Sequence, residues 1–342
     1  MKVYYIGLDV HKKNISYCIK TENGKIIDEG RIAANRACLL LWASHLPTPW
    51  IGAMEATLFT GWIYDFLKPQ ALKLEVAHPQ MLKAIIASKK KNDQVDARKI
   101  ADLLRCDLLP TCYMAPEKIR ELRRVLRYRN LMVREAVRMK NKMSGLLMEV
   151  GGIYSKKRLH GKKYFSHLLE SIEDVPESVK DLLLLSRANF EMFNRIQKRL
   201  IEALHHEPLI SDRTQRLMTI EGVGEVTALS WVLEVGNPLR FGSIKQAISY
   251  CGLCSAQKES AGKNHRGPIS KQRNKHLQTV LIEAAKLAPR WNAQLAEVYE
   301  HERHKGHHNR ATLAVARKLV SYMLAVDRRG TDFIPAAKAK VA

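Results

Sequence analysis

Val3-Tyr-Tyr-Ile-Gly-Leu-Asp9-Val-His11-Lys12 is an apolar run rich in β-branched and aromatic residues that ends on an acid. Such a run favours an extended strand, and it is the first of three. Residues 3–9, 14–20 and 25–32 all read as strands, and Glu22-Asn-Gly24 reads as a hairpin turn whose glycine tolerates positive φ. A helical segment from Ala37 to Leu46 follows. The chain then gives a second short apolar run, Trp50-Ile-Gly-Ala-Met-Glu55-Ala-Thr57, a helix near residues 58–67, a short strand over 73–77, and helices around 81–87 and 93–104. Three meandering strands followed by alternating helices and strands predict an α/β layered domain with a mixed sheet.

Both early strands stop on a carboxylate, Asp9 and Glu55. Strands that end on a lone acid are typical of sites built where loops converge at a sheet edge. A third stretch, Lys91-Asn-Asp93-Gln-Val-Asp96-Ala-Arg98, places two more acids three residues apart. That spacing puts their side chains on one face of a helix's first turn. Acids at a helix start commonly serve as caps. Taken with Asp9 and Glu55, however, Asp93 and Asp96 complete a set of four that would repel one another unless a cation lay between them. The hard divalent ions suited to carboxylate oxygen are Mg²⁺ and Mn²⁺.

The chain has 342 residues, too many for one ordinary core. Lys and Arg outnumber Asp and Glu by 57 to 34, a net charge of +23 that points to a nucleic-acid partner. No apolar run approaches the roughly 20 residues of a membrane span, and no charged-then-apolar signal segment opens the chain. The expectation is a cytosolic protein with no membrane partner. Six scattered cysteines are expected to be reduced thiols. Cys251-Gly-Leu-Cys254 has the spacing of half a zinc site but lacks a second pair at finger spacing, so packed thiols are the simpler reading.

From Pro116 the pattern changes. Ile119, Leu122, Leu126, Val133, Ala136, Met143, Leu147 and Val150 fall at heptad spacing, interrupted by Arg129 and Lys140. Arg120, Arg124, Arg127, Arg134, Arg138 and Lys142 line the rest of the surface, offset only by Glu121 and Glu135 within residues 118–142. This predicts one long basic helix that contacts nucleic-acid phosphates, with a solvated face as the alternative. Gly151-Gly152 ends it, a polar connector containing Pro176 follows, and a second helix carrying Val179, Leu182, Phe193, Ile196, Leu200 and Ala203 returns antiparallel. The heptads also offer a dimer interface.

In the last part, Ile220-Glu-Gly222-Val-Gly224 followed by an apolar run reads as the turn of a helix-hairpin-helix. There, glycines let backbone N–H groups approach a phosphate. Downstream lies a Gly-rich basic loop, Ser260 to Lys271, with Lys263, His265 and Arg266. Two helices, about 275–288 and 311–326, close the chain around a His/Arg-rich connector that reads as a basic surface loop.

The order Gly-Leu-Asp9, Met-Glu55-Ala-Thr, Asp93-Gln-Val-Asp96-Ala-Arg98 resembles the DEDD tetrad of insertion-sequence transposases with a RuvC-like N-terminal domain. This group includes the Piv DNA invertase and the bridge-RNA-guided recombinases. The resemblance continues through Ile220-Glu-Gly-Val-Gly224, Tyr250-Cys-Gly-Leu253 and Ser260-Ala-Gly262-Lys-Asn-His-Arg266-Gly-Pro-Ile-Ser270-Lys271. It implies a ribonuclease-H-like (RuvC-like) catalytic domain over residues 1–112, a helical coiled-coil segment over 113–206, and a mostly α C-terminal transposase domain over 207–330, with a tail from 331. It further implies catalytic, metal-binding acids at Asp9, Glu55, Asp93 and Asp96, and a nucleophilic serine whose matching position is Ser260. DNA at the element's ends and target, an element-encoded guide RNA, and a homo-oligomer, dimer or tetramer, are the implied partners. The usual Ser-Gly becomes Ser260-Ala261-Gly262, which leaves Ser270 as a second candidate; as an alternative, Ser270 caps the next helix. Lys271 or Arg266 would bind the scissile phosphate. Because Ser260 lies far along the chain from Asp96, the active site is expected either to form by fold-back or to be shared between subunits.

Two other readings compete. A Holliday-junction or structure-specific nuclease would use the four acids without a serine. A silent nucleic-acid-binding protein would need none of them, but acids crowded together without a cation destabilise a fold, so an intact tetrad speaks against it.

Overall fold

In a computed structural model that describes residues 2–86, 92–172, 175–260 and 262–335, the chain opens with the expected meander. Strands β1 (Tyr4–Val10), β2 (Asn14–Thr21) and β3 (Ile26–Ala33) pair antiparallel, with Gly24 at φ +82 in the turn between β2 and β3. Strands β4 (Trp50–Glu55) and β5 (Lys73–Ala77) add in parallel on the other side of β1, giving the order β3-β2-β1-β4-β5. This mixed sheet is consistent with a ribonuclease-H-like domain. The connections are helices α1 (Arg36–Ser44), α2 (Thr60–Leu67), α3 (Pro79–Ile86) and α4 (Asp93–Arg105). Ala87, expected inside α3, lies outside the described residues.

The period of two in β1 sorts its side chains between layers. Ile6, Leu8 and Val10 pack with Leu39 of α1 and with Ile63 and Leu67 of α2 in one core. On the opposite face Ala53, Ala77, Leu82 and Ile100 form a second, smaller cluster under α3 and α4. Helix α4 lies directly on β1 there. A Cβ on Gly7 would stand 2.5 Å from the Ala101 amide nitrogen and closer still to the Ala97 carbonyl oxygen. Only a residue without a side chain permits that approach. The helix is also tied down at its edges. Asn92 caps it by accepting from the Gln94 N–H (2.9 Å), Gln94 Nε2 donates to the Tyr17 carbonyl (2.8 Å), Lys20 Nζ donates to Asp102 (2.6 Å), and Arg98 grips Glu29 of β3.

Residues Met1–Glu117 make one unit and Lys118–Ala342 a second. The helical segment expected over 113–206 and the C-terminal part from 207 both contribute to the second. Its long helix, α5 (Glu117–Glu149), is as expected, and α6 (Lys162–Ser171) and α7 (Glu177–His205) follow. Helix α7 returns antiparallel: Leu183 packs with Met143 and Leu147 near one end of the pair, and Ile201 and His205 line a cavity with Arg129 nearer the other. Leu182, expected on the inner face, is exposed. Helix α6 lies within the expected polar connector, and its own Phe165 and Leu168 are buried.

The heptad stripe is used within the chain. Ile119, Leu122, Leu126, Ala136, Met143 and Leu147 are all buried, whereas Met132 and Leu146 take the buried places expected of the only partly buried Val133 and Val150. A straight helix of 3.6 residues per turn drifts against a heptad, so a seam read at strict sevens slips around the surface. The expected dimer seam along these positions is therefore occupied by intrachain packing.

Helices α8 (Pro208–Met218) and α9 (Glu225–Val235) flank the Gly-x-Gly turn, and every residue from Thr227 to Val235 is buried, as befits a central helix. Around it lie α10 (Ile244–Tyr250), α11 (Lys275–Leu287), α12 (Ala293–His304) and α13 (His308–Arg329). Helix α12 occupies part of the expected His/Arg connector; Leu295 is fully buried and Asn292 caps its start by accepting from the Leu295 N–H (3.1 Å). The expected Gly-rich loop is a β-hairpin, β6 (Ser255–Ser260) paired antiparallel with β7 (Lys263–Ile269). Gly262, at φ +73, supplies the left-handed residue that so tight a turn demands.

Replacing Gly7 with Ala should push α4 off the sheet, because the added methyl meets backbone rather than a movable side chain. The expected loss is at least about 3 kcal/mol in denaturant unfolding; an unchanged midpoint would show that the contact is not limiting.

Candidate functional site

The close seat of α4 on β1 decides where the acids meet. Asp9 is on the same face of β1 as Gly7, and both acids of α4's first turn come down beside it. Asp9 is only 7% exposed. Burial raises its carboxyl above the ordinary range, His11 opposes the shift, and the nearby charges of Asp93 and Asp96 add to it. The parallel register of β1 with β4 sets Leu8 opposite Met54, so Glu55 follows Met54 beside Asp9 on the neighbouring strand. The structure thus brings Asp9, Asp93 and Asp96 together and puts Glu55 one strand away.

His11 is the residue the sequence reading passed over. Its Nε2 lies 3.0 Å from Asp9 Oδ2 and 3.6 Å from Asp93 Oδ1. Among the described residues, Asp9, His11 and Asp93 are the one group of His, Cys, Asp or Glu ligand atoms close enough to share an ion, all within 4.8 Å of one another. The signal was visible as Asp9-Val-His11, an i, i+2 pair that an extended chain turns to the same face. Hard oxygens with one imidazole nitrogen suit a divalent cation of the Mg²⁺ or Mn²⁺ kind, the nitrogen favouring Mn²⁺. Arg31 NH2 stands 3.5 Å from Asp93 Oδ2 and offsets part of the charge. Cys251 and Cys254 contribute no such cluster; Cys251 is buried, which pushes its thiol up to about 12.

The candidate nucleic-acid contacts separate into two kinds. Arg124, Arg134 and Lys142 are exposed along α5, Arg138 is exposed while paired with Glu135 (3.0 Å), and Arg120 is half-buried. Arg127 is different. Its Nε and NH2 donate to the two oxygens of Glu234 at 2.7 and 2.8 Å, and Glu234 is fully buried. Burial pushes the Glu234 carboxyl up, but bonds and charge from Arg127, with help from Asn274 and Arg123, outweigh this and hold it below its usual range. Arg127 thus ties α5 to a buried acid, while 47% of its side chain stays exposed. The acid that claims it lies 107 positions away, beyond any local pattern.

Gly222 also has a packing role. At φ +93, a Cβ there would come within 2.5 Å of Ala288 Cβ, so the glycine is required by conformation and by close approach alike. Gly224 starts α9 with open space around it, but Glu221 and Glu225 flank the turn and weaken it as an anion site.

Ser260 ends β6 and pairs with Lys263 across the hairpin tip, both of them exposed. Ala261 and the Arg266 side chain lie outside the described residues. Ser270 is engaged: its N–H donates to the Cys254 carbonyl and its Oγ accepts from the Gln272 N–H (3.2 Å). It does not cap α11; Asn274 does, accepting from His276 and Leu277. Lys271, just beyond β7, is exposed. No helix among the described residues is long and apolar enough to cross a membrane.

Comparison with known proteins matches both parts of this layout. A family model of the DEDD IS110 type, described as "Transposase", matches residues 6–151, which contain the sheet and all four acids. A second, described as "Transposase IS116/IS110/IS902 family", matches residues 214–300, from the Gly-x-Gly turn through the hairpin to α12. The chain is 26% identical to the transposase for insertion sequence element IS1328 of Yersinia enterocolitica, over 97% of this chain and 98% of that one. It is 26% identical to the transposase for insertion sequence element IS1111A of Coxiella burnetii (82% and 76% covered) and 25% identical to a probable family 20 transposase of Pseudomonas aeruginosa (85% and 85%). With two models of one family spanning its sheet and its C-terminal helices, the chain belongs to the IS110/IS116 family of insertion-sequence transposases.

Proposed function

We propose that this transposase cuts and rejoins DNA with a metal-binding set formed by Asp9, Glu55, Asp93 and Asp96, together with Ser260 as nucleophile. The observation that carries the reading is the convergence of Asp9 and Asp93 on one imidazole, under a helix that a glycine lets down onto the sheet. Divalent ions held there would stabilise the charge that develops on phosphate oxygens during phosphodiester displacement. His11 is suited to join the ligand set or to hold the two carboxylates in place. Asp93 and Asp96 keep their orientation through the Arg98–Glu29 and Gln94–Tyr17 ties of α4.

Ser260 is favoured over Ser270 because it stands exposed at a hairpin tip beside a lysine, while the Ser270 hydroxyl is spent on a local turn. Its Oγ would attack a DNA phosphorus, forming an Oγ–P bond as one P–O bond to deoxyribose breaks. The serine proton is lost to a base, and the released sugar hydroxyl takes one up. Attack by a different sugar hydroxyl reverses the exchange and rejoins strands without an external energy source. The reaction requires the hairpin tip to reach the acids, within one chain or from a partner. Lys263, Lys271 and Arg266 are proposed phosphate contacts, as are the exposed cations of α5. A guide RNA encoded by the same element is proposed to occupy part of this basic surface, an inference that rests on the family resemblance. A homo-oligomer is proposed as well, supported by the exposed Val137 and Met148 of α5 and Leu184 and Leu185 of α7.

Mn²⁺ titration followed by electron paramagnetic resonance should show tight binding that Asp9→Asn and Asp93→Asn each weaken by more than the roughly 100-fold typical of losing an outer-shell partner. Chelator should abolish cleavage. Full affinity and cleavage in either variant would sink the metal reading.

Ser260→Ala should keep Mn²⁺ and DNA binding but lose both the covalent protein–DNA adduct and strand exchange, whereas Ser270→Ala should retain the adduct. An adduct that persists without Ser260 would point to a different nucleophile, whereas cleavage by the wild type with no adduct at all would leave a metal-dependent nuclease.

The salt dependence of DNA affinity should become shallower by about two to three in slope when Arg124, Arg134 and Arg138 are replaced together by Ala, since each lost phosphate contact releases roughly one fewer counterion. An unchanged slope would reduce the stripe to a solvated face.

A further inference from the structure

The second unit contains a cavity of about 790 Å³ between α5, the Gly-x-Gly turn and α11. Its size lies within the roughly 300–1,000 Å³ range of small-molecule sites. Val133, Val226, Val280 and Ala284 make apolar walls, and Trp291 stands among its lining residues with 60% of its surface exposed. A large exposed indole beside an apolar chamber is unusual for a side chain that serves only packing.

Three cations also line the cavity: Arg129, Arg134 and Lys275. Arg129 interrupts the apolar stripe of α5. Its Nε is sealed from solvent without a hydrogen-bond partner, its NH1 reaches only the neighbouring Asn130 (3.2 Å), and burial lowers its pKa. No carboxylate pairs with it among the described residues. A part-buried guanidinium without a counter-charge is costly unless a ligand completes it. The acids at the rim do not do so: Glu283 is held by Lys286 at 2.7 Å, and Glu221 sits exposed in the turn. A chamber that combines apolar walls, an aromatic plane and unpaired guanidinium charge matches one chemistry well, a planar heterocycle attached to a phosphate.

We propose that this cavity receives an unpaired nucleotide, its base lodged between the valine walls and Trp291 and its phosphate facing Arg129, Arg134 and Lys275. The inference deepens the nucleic-acid reading above and rests on it. It assigns to the second unit the task of recognising a base displaced from its helix, which phosphate contacts along α5 alone cannot do. DNA and RNA share this chemistry, and the test separates them.

The full-length protein would be titrated with single-stranded DNA and single-stranded RNA oligomers carrying one 2-aminopurine, and with a fully paired duplex of the same sequence. Expected for the wild type is a change in 2-aminopurine fluorescence on binding one or both single strands and none with the duplex; the responding strand identifies the source. Trp291→Ala, at an exposed position where folding is not at stake, and Ala284→Phe, which fills the chamber, should each weaken single-strand binding by about ten-fold, the loss of one base–aromatic stack. Duplex affinity should not change. Folded variants with undiminished single-strand affinity would overturn the proposal, as would an Ala284→Phe protein whose oligomeric state shifts while its nucleic-acid binding does not, which would give the cavity to a second copy of the chain. A wild-type protein that binds neither strand nor duplex would instead overturn the nucleic-acid reading on which the proposal rests.

Discussion

The backbone-to-backbone approach of α4 to β1 at Gly7 is the constraint on which the first unit depends. Helices normally pack on sheets through interleaved side chains; here one position has none, and the helix settles onto the strand. Every charged feature of the site follows from that descent. Asp93 and Asp96 are lowered beside Asp9, the rim of the helix comes within reach of Glu29 and Lys20, and Asp9 loses most of its solvent. A buried carboxylate next to two others is unfavourable in isolation. The sheet tolerates it because the contacts along the rest of α4, apolar below and ionic at the edges, fix the helix independently of its first turn.

The second unit solves a different problem. Its basic surface is extensive, and a chain with a charge of +23 gains nothing in stability from crowding arginines. One buried acid, Glu234, organises the centre instead, gathering Arg127, Arg123, Asn274 and the Tyr250 neighbourhood around the most buried helix of the unit. Breaking such a pair by removing one partner is far costlier than never having built it. The arginines of α5 therefore divide on one helix: Arg123 and Arg127 hold a buried acid, while Arg124 and Arg134 stay exposed.

Much of the first unit was legible because its signals are local. The apolar strand runs, the Glu22-Asn-Gly24 turn and the helical spacing after Asp93 each declare themselves within a few residues, and the elements they predict match the structure to within a residue or two; the cap of α4, expected of the acids, is Asn92. The acids were legible for a similar reason, as polar endings on apolar runs. What escaped depends on partners distant in sequence or on faces that periodicity reads too rigidly. Nothing near Arg127 announces Glu234. A seam read at strict sevens drifts from the buried face, which is how Val133 displaced Met132. Helices α6 and α12 are short and rich in charge, so each shows only one or two buried residues to a pattern search. His11 escapes a pattern of strand-ending carboxylates because it is an imidazole lying just beyond the strand.

The β6–β7 hairpin has a consequence of its own. Among the described residues it is a two-stranded ribbon with no third strand beside it, carrying Ser260 at the last pair before the turn. Side chains along a strand alternate between faces, so reach and aim are coupled by parity. Adding one residue to each strand would extend the tip by about 3.4 Å but turn the serine to the opposite face, whereas adding two would extend it by about 7 Å and restore its direction. For Ser260 in its proposed role, a change of hairpin length keeps the direction of the hydroxyl only in even steps on each strand, and the ribbon becomes a ruler graduated in pairs of residues.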